Sequence, residues 1–379
     1  MRLIFMGTPD FAVPTLDALV RSEHEVAAVY TQQDKPQGRS GKPVPSPVKV
    51  YAEAAGIPVL QPASFRKAEV LEEMRGFSAD AIIVVAFSRI LKKRVLEMTP
   101  YGCFNVHASL LPRYRGAAPV QWAILEGEQE TGVTIMQMDE GLDTGDILNQ
   151  VTIPIEPDET GDSLFEKLSR LGGPLLLETL KEAEAGELHP VKQGESPTVY
   201  AAMLDKSMGR IDFSRDAAVI ERYIRGLYSW PSAYTDRDGK ILKIYKAEVV
   251  EEETECPAEV PAAGEAGETD GGTCACTAEQ PEAMDCPACA SGTEQPEAME
   301  CPACASGTEQ PEAMECPACA AGRPAPGTVI RVTKKDFTVQ CGRGALKILE
   351  LQPEGKRRMR TADYLRGNPI PEGTRLGQG

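Results

Sequence analysis

Scarcity narrows the reading first. Across 379 residues there are three histidines and two tryptophans, and aromatic side chains make up 6% of the chain. So few imidazoles, none at metal-ligand spacing in the first half, argue against a histidine-built metal centre there. No apolar run is long enough to span a bilayer. The opening MRLIFMGTPDF passes from an apolar strand straight into a turn, with no basic region, leader-length apolar stretch or cleavage signal. A cytoplasmic chain with no membrane contact is expected. The first turn, GTPDF, holds a single glycine where a dinucleotide fingerprint would read G-x-G-x-x-G. G-x-x-x-x-G-K-S/T and G-x-S-x-G are missing too, which argues against a P-loop nucleotide enzyme and a nucleophile-elbow hydrolase.

What is present is unevenly placed. Nine of the eleven cysteines lie between residues 256 and 319, leaving only Cys103 and Cys341 outside. In a cytoplasmic chain they do not read as a disulfide framework. The net charge of −17 also divides. Residues 1–205 carry 19 basic and 29 acidic side chains, or −10, and residues 251–326 carry Arg323 against 17 acidic ones, or −16. The remaining pieces, 206–250 and 327–379, hold 20 basic and 11 acidic side chains, or +9. A basic region beside an acidic one suits a polyanion held by one part while chemistry proceeds in another; ordinary surface charge accounts for it equally well.

Along the first half, strand-like runs (RLIFMG, EVAAVYTQ, AIIVVAF, GCFNVH, TGVTIMQM) alternate with helix-like ones (FAVPTLDALVRS, VKVYAEAAG, KAEVLEEMRG, AAPVQWAILEG). That alternation predicts an α/β domain over 1–205 with a Rossmann-like, open, mostly parallel sheet and ligands at the strands' carboxyl ends. Residues 31–47, with four prolines and three basic residues, read as a long exposed loop. PVKQGESPTVYAAML reads as a linker out of this domain. An amphipathic helix and short alternating strands over 206–250 and 327–379 then predict a small β-barrel or sandwich. It is interrupted at 251–326 by a tract containing a 15-residue repeat, EQPEAMxCPACA, seen three times over 279–323. That tract has too few large apolar side chains to form a core unaided, and a flexible acidic insertion is expected. Its C-P-A-C pairs could supply a Cys₄ zinc site, although tandem duplication is the simpler account.

The chemistry concentrates at FNVHASLLPRYRG, residues 104–116. In a strand, side chains two apart share a face, so Asn105 and His107 project together. An amide donor beside an imidazole suits a carbonyl carbon that must become a tetrahedral oxyanion; a capping Asn and a core His are the plain alternative. Four carboxylates, Asp139, Glu140, Asp143 and Asp146, follow the run TIMQM, and one near the imidazole would orient it. The pattern does not choose which.

The motifs MGTPDFAVPTLDAL, DKPQGRSGKPVPSPVKV, FNVHASLLPRYRGAAPVQWAI and ETGVTIMQMDEGLDTGDIL resemble those of the methionyl-tRNA formyltransferases, a family of folate-dependent formyltransferases, over 1–250 and 327–375. The resemblance implies a catalytic set of Asn105, His107 and Asp143, and a folate-binding loop of Ser109, Leu110, Leu111 and Pro112. Phe87 and Ile90 would flank the pterin or simply pack in the core. It also implies tRNA contacts from Arg39 and Lys42, and an OB-like C-terminal domain that supports tRNA binding. The expected reaction moves the formyl group of 10-formyltetrahydrofolate to the α-amino group of initiator methionyl-tRNA, with no metal and with the protein a monomer. A small amine acceptor, such as a nucleotide sugar or purine precursor, would keep the same site. It would need neither the basic loop nor the basic C-terminal region. A metal-binding role added by the cysteine repeats is a further alternative.

Overall fold

The structure, a computed structural model, describes residues 1–37, 41–250 and 323–377. The acidic repeats, with the flexibility and zinc expected of them, and Arg39 lie outside the described residues.

The apolar runs form β1 (Arg2–Gly7), β2 (Glu25–Tyr30), β3 (Lys35–Gln37), β4 (Lys42–Val44), β5 (Val59–Leu60), β6 (Ala81–Val85), β7 (Cys103–His107), β8 (Glu130–Gln137) and β9 (Ile147–Pro154). Seven of these build one sheet in the order β5-β2-β1-β6-β7-β8-β9. From β5 to β7 every pairing is parallel, whereas β8 and β9 run antiparallel. Both faces are covered, so side chains alternate between two cores. Leu3, Phe5, Phe104 and Val106 pack into one with α1 (Val13–Val20). Ile4, Met6, Val84 and Cys103 face the other. Crossovers from β1 lead one way to β2 and those from β6 lead the other way to β7. Such a reversal leaves a crevice at the strands' carboxyl ends.

Around the sheet lie α2 (Pro47–Ala54), α3 (Ala68–Gly76), the one-turn α4 (Lys93–Leu96), α5 (Pro119–Glu126) and α6 (Gly161–Ala185). The segment expected as a long loop is ordered differently: β3 and β4 pair as a two-stranded ribbon with Pro36 opposite Pro43. Among the described residues neither strand has a second neighbour, so the missing proline N–H groups leave no further ladder incomplete. Ser46 then accepts the Lys49 N–H at 3.1 Å and caps α2. The long helix α6 starts from a reciprocal cap. Thr160 Oγ1 accepts the Ser163 N–H at 3.1 Å, and Ser163 Oγ accepts the Thr160 N–H at 2.9 Å. Thr160→Ala should therefore cost about 1 kcal/mol in unfolding free energy, read from denaturant melts, with the slope of the transition unchanged.

The second sheet is a curled antiparallel half-barrel of β10 (Tyr234–Arg237), β11 (Lys240–Val250), β12 (Val329–Val332), β13 (Phe337–Gln340), β14 (Ala345–Pro353) and β15 (Met359–Arg360). Register breaks between Ile244 and Ala247 bend β11 along β14. Ile220 and Ile224 of α7 (Ala217–Gly226) and Tyr364 of α8 (Thr361–Gly367) close its core around Phe337 and Leu346. The basic half-barrel is tied back to the first sheet through α7. Arg225 donates to the Glu159 carbonyl at 2.7 Å and Arg222 to the Leu125 carbonyl at 3.2 Å.

Candidate active site

A cavity of about 430 Å³ opens beyond the carboxyl ends of β6 and β7. That is the size of a site for a small organic molecule. Ala86, Phe87 and Leu91 wall it on one side, and Phe11, Val120 and Phe165 on the other. Phe11 and Phe165 meet edge to face, with ring centroids 5.0 Å apart. Phe87 is buried and packs against Phe65, while Ile90 is exposed at the rim. Ala86 and Ser88 hold left-handed φ values of 47° and 54°, a conformation non-glycine residues adopt at a cost.

Three polar side chains converge on this cavity. Asn105 and His107 project from one face of β7 and are almost entirely buried, at 8% and 6% exposure. Asp143 comes from the β8–β9 connection and lines the same cavity. Because β8 is antiparallel, Asp143 does not extend from a parallel strand's carboxyl end. Its loop folds back instead. One carboxylate oxygen faces the Asn105 amide at 3.5 Å; the other lies 3.8 Å from His107 Nδ1 and accepts the Gly116 N–H at 3.0 Å. The other acids of that turn do different things. Asp139 accepts from the Thr144 hydroxyl and the Gly141 N–H inside the loop, and Glu140 is exposed.

His107 is oriented from its far side. Its Nε2 lies 3.1 Å from the Tyr114 carbonyl, an acceptor only, so that nitrogen carries the hydrogen. In the neutral ring, Nδ1 then keeps its lone pair toward Asp143 and the cavity. Tyr114 is itself fixed. Its phenol donates to Glu128 at 2.6 Å, and its N–H donates to Thr198 Oγ1 at 2.8 Å. Burial, followed by the Glu128 carboxylate, pushes the Tyr114 hydroxyl upward, so it stays a neutral donor. Gly116 has φ 130°, and a Cβ there would meet the Ala201 oxygen at 2.5 Å. Only glycine brings that N–H to Asp143.

The folate loop expected from the resemblance begins directly after Ala108, which lines the cavity. Among the described residues lining the cavity, Ser109, Leu110, Leu111 and Pro112 are absent. Their polar groups are engaged internally. The Ser109 hydroxyl donates to the Arg113 carbonyl at 2.7 Å, and the Ser109 carbonyl accepts from Thr134 Oγ1 at 2.6 Å. The Leu111 N–H donates to Thr134 at 3.1 Å, and its carbonyl accepts from Gln150 at 2.9 Å. Leu110 lines a separate cavity of about 40 Å³. The segment therefore braces the loop that carries Tyr114 and Gly116. Lys42 is exposed on β4.

Sequence reasoning missed the segment read as a linker. Residues 190–204 do not leave the domain directly. Ile147 and Val191 exchange backbone bonds of 2.8 Å, and Ala201 bonds the backbone of both Arg115 and Ala117 at 2.8 Å. Tyr200 and Met203 from this segment line the cavity, and both are exposed. The signal available was an unusual set of apolar side chains (Val199, Tyr200, Met203) in a stretch otherwise built of turn residues.

An amide, an imidazole and a carboxylate meet at the crevice of an open α/β sheet, an arrangement suited to group transfer at a carbonyl carbon. The family described as "Formyl transferase" matches residues 1–180, and "Formyl transferase, C-terminal domain" matches residues 203–280 and 305–369. The chain belongs to the formyl transferase family. The protein named methionyl-tRNA formyltransferase in Lachnospira eligens is 44% identical over 378 residues, covering 100% of both chains. Its namesake in Geotalea daltonii is 42% identical over 377 residues, covering 100% of this chain and 98% of that one. Among solved structures, WlaRD, a sugar 3N-formyl transferase, shares the fold at TM-score 0.55 and 16% identity over 94% of this chain and 99% of its own. HypX from Aquifex aeolicus in complex with tetrahydrofolic acid does so at TM-score 0.54 and 17% identity over 98% of this chain. This chain spans 48% of HypX. Among the described residues, no helix is long and apolar enough to cross a membrane.

Proposed function

We propose that the protein formylates the α-amino group of methionine on initiator methionyl-tRNA, with 10-formyltetrahydrofolate as donor. The observation that carries the chemistry is the meeting of Asn105, His107 and Asp143 at one cavity wall. The α-amino nitrogen attacks the formyl carbon. A C–N bond forms, the bond from that carbon to the folate N10 breaks, and one proton moves from the incoming nitrogen to the departing one. The second hydrogen of the Asn105 amide points at the developing oxyanion, where a fixed donor acts most strongly. His107 Nδ1 takes the proton and returns it, and Asp143 faces the charge that arises on the ring meanwhile. An α-amino group ordinarily titrates near about 8, so a neutral fraction is available without a strong base. Positioning and oxyanion stabilisation account for the rate, with no covalent intermediate on the protein.

The pterin lies between Ala86–Leu91 and the β8–β9 loop, which line the cavity, with Ser109, Leu110, Leu111 and Pro112 as its binding loop. Residues 1–205 form the catalytic domain. Residues 206–250 and 327–379 form the tRNA-binding one, interrupted by the acidic tract 251–326. Arg39 and the exposed Lys42 reach the acceptor arm, and the protein works as a cytoplasmic monomer. Fold alone does not choose the acceptor, since a sugar N-formyl transferase shares it. The full-length 44% identity to a chain named for methionyl-tRNA, together with the +9 charge of the C-terminal pieces, favours tRNA. With 10-formyltetrahydrofolate supplied, kcat/KM should rank initiator methionyl-tRNA above elongator methionyl-tRNA, with an amino-sugar nucleotide and an amino purine precursor far below. Equal or faster formylation of either small amine would remove the tRNA reading.

A further inference from the structure

We infer that Gln193 is a positioning residue for the transfer, holding Asp143 in place from the segment that leads to the second sheet. The inference rests on the proposed formyl transfer and assigns a role to a side chain outside the cavity lining.

The turn carrying Asp143 needs an external hold. Asp143 sits at φ 55°, in the left-handed region that disfavours side-chain-bearing residues. Two residues on, a Cβ at Gly145 would meet the Gln137 oxygen at 1.7 Å, so the turn is pressed against β8 with no slack. Among the described residues, the carboxylate has just one contact inside hydrogen-bond distance that is well short of 3.5 Å, the Gly116 N–H at 3.0 Å. Left there, a strained turn would aim its acid through a single bond.

Gln193 supplies the rest. Its amide Nε2 donates to the Asp143 carbonyl at 3.0 Å and to the Gly145 carbonyl at 2.6 Å, so one group fixes the backbone on both sides of Thr144. Its Oε1 accepts Arg115 Nε at 2.9 Å, and Arg115 Nη2 donates to the Gly194 carbonyl at 2.8 Å. Arg115 belongs to the loop that presents Gly116 to Asp143 and Tyr114 to His107. One side chain thus ties together the loop of the acid and the loop of the imidazole's partner. It does so from residues 190–204, which the chain follows into the half-barrel. A misplacement of about 1 Å at reacting groups can cost about a hundredfold in rate. A 3.8 Å imidazole–carboxylate separation leaves little to lose.

The test compares Gln193→Met, similar in shape but without either contact, with Gln193→Glu, which keeps an acceptor for Arg115 and loses both N–H donations. Both should lower kcat at least about tenfold, by the sensitivity of rate to position, with KM for either substrate within about threefold. Melting temperatures should stay close to the parent's. A second readout does not depend on the acceptor. With three histidines in the chain, the ring resonances of His107 are assignable by comparison with His107→Ala, and both variants should shift them. Such a shift supports the positioning role even where the parent fails to formylate methionyl-tRNA, an outcome that would remove the proposed function alone. Unmoved His107 resonances, or kcat within twofold of an active parent, overturn the inference.

Discussion

Asn105→Ala lowers kcat for methionyl-tRNA formylation by about a hundredfold or more, the scale set by deleting one oxyanion-hole donor. The amide lies on a strand whose ladder partners are backbone atoms, so the strand does not depend on the side chain: Asn105 pairs with Val84 on one side and Met136 on the other. Removing it leaves that register in place and takes away a group whose contact with Asp143 is already long at 3.5 Å. A contact that long leaves the amide free to donate to a stronger acceptor. The loss should therefore fall on kcat, with the far-UV spectrum and melting temperature close to the parent's. Asn105→Asp sharpens the test. It keeps the shape and replaces the donor by an acceptor beside Asp143, so it should be at least as slow as alanine. Turnover within threefold of the parent by either variant would place oxyanion stabilisation elsewhere.

The parts of the fold that were legible in sequence are those where one pattern had one meaning. AIIVV and CFNVH, short and apolar between helical stretches, could be little except buried strands, and β6 and β7 are buried throughout. The Asn105–His107 pairing followed from strand alternation alone. Other features depended on contacts no local pattern encodes. Four carboxylates in a single turn read alike, and the choice of Asp143 follows from Gly116 and His107, both distant in sequence. The 25-residue helix α6 is masked by Gly172, Gly173 and Pro174 at its centre, residues that ordinarily mark a break. Those glycines allow close packing instead: a Cβ at Gly172 would meet Val106 at 2.8 Å. The stretch from 190 to 204 has turn composition because its backbone bonds at isolated points, to the first residue of β9 and to the loop of Arg115, rather than along a ladder. Ser109–Pro112 is a ligand loop by resemblance only, and no local pattern encodes its hydrogen bonds to Thr134 and Gln150.

Asp143→Asn should be as damaging, for a different reason, and the difference is measurable. The substitution preserves shape, so the new side-chain oxygen can still accept the Gly116 N–H that anchors the loop. The NH₂ then occupies the position facing Asn105, where two donors oppose each other unless the Asn105 amide turns over. Turning it removes the donor from the oxyanion, and the lost charge leaves His107 Nδ1 without a partner for the proton it carries. Loss of the carboxylate from a related imidazole–carboxylate pair costs about ten-thousandfold in kcat. A fall of about a hundredfold to ten-thousandfold is expected here, because the 3.8 Å separation is looser than a hydrogen bond. KM for the folate and for methionyl-tRNA should stay within about threefold, because the loop and cavity walls are unchanged. Asp143→Ala behaves differently. It also releases Gly116, and with it the loop carrying Tyr114 and Arg115, so KM should rise while kcat falls. If Asp143→Asn kept kcat within threefold, the carboxylate would be a loop anchor only and His107 would move its proton unaided. If both variants raised KM alike, the shape-preserving contact with Gly116 would not be what orders the site.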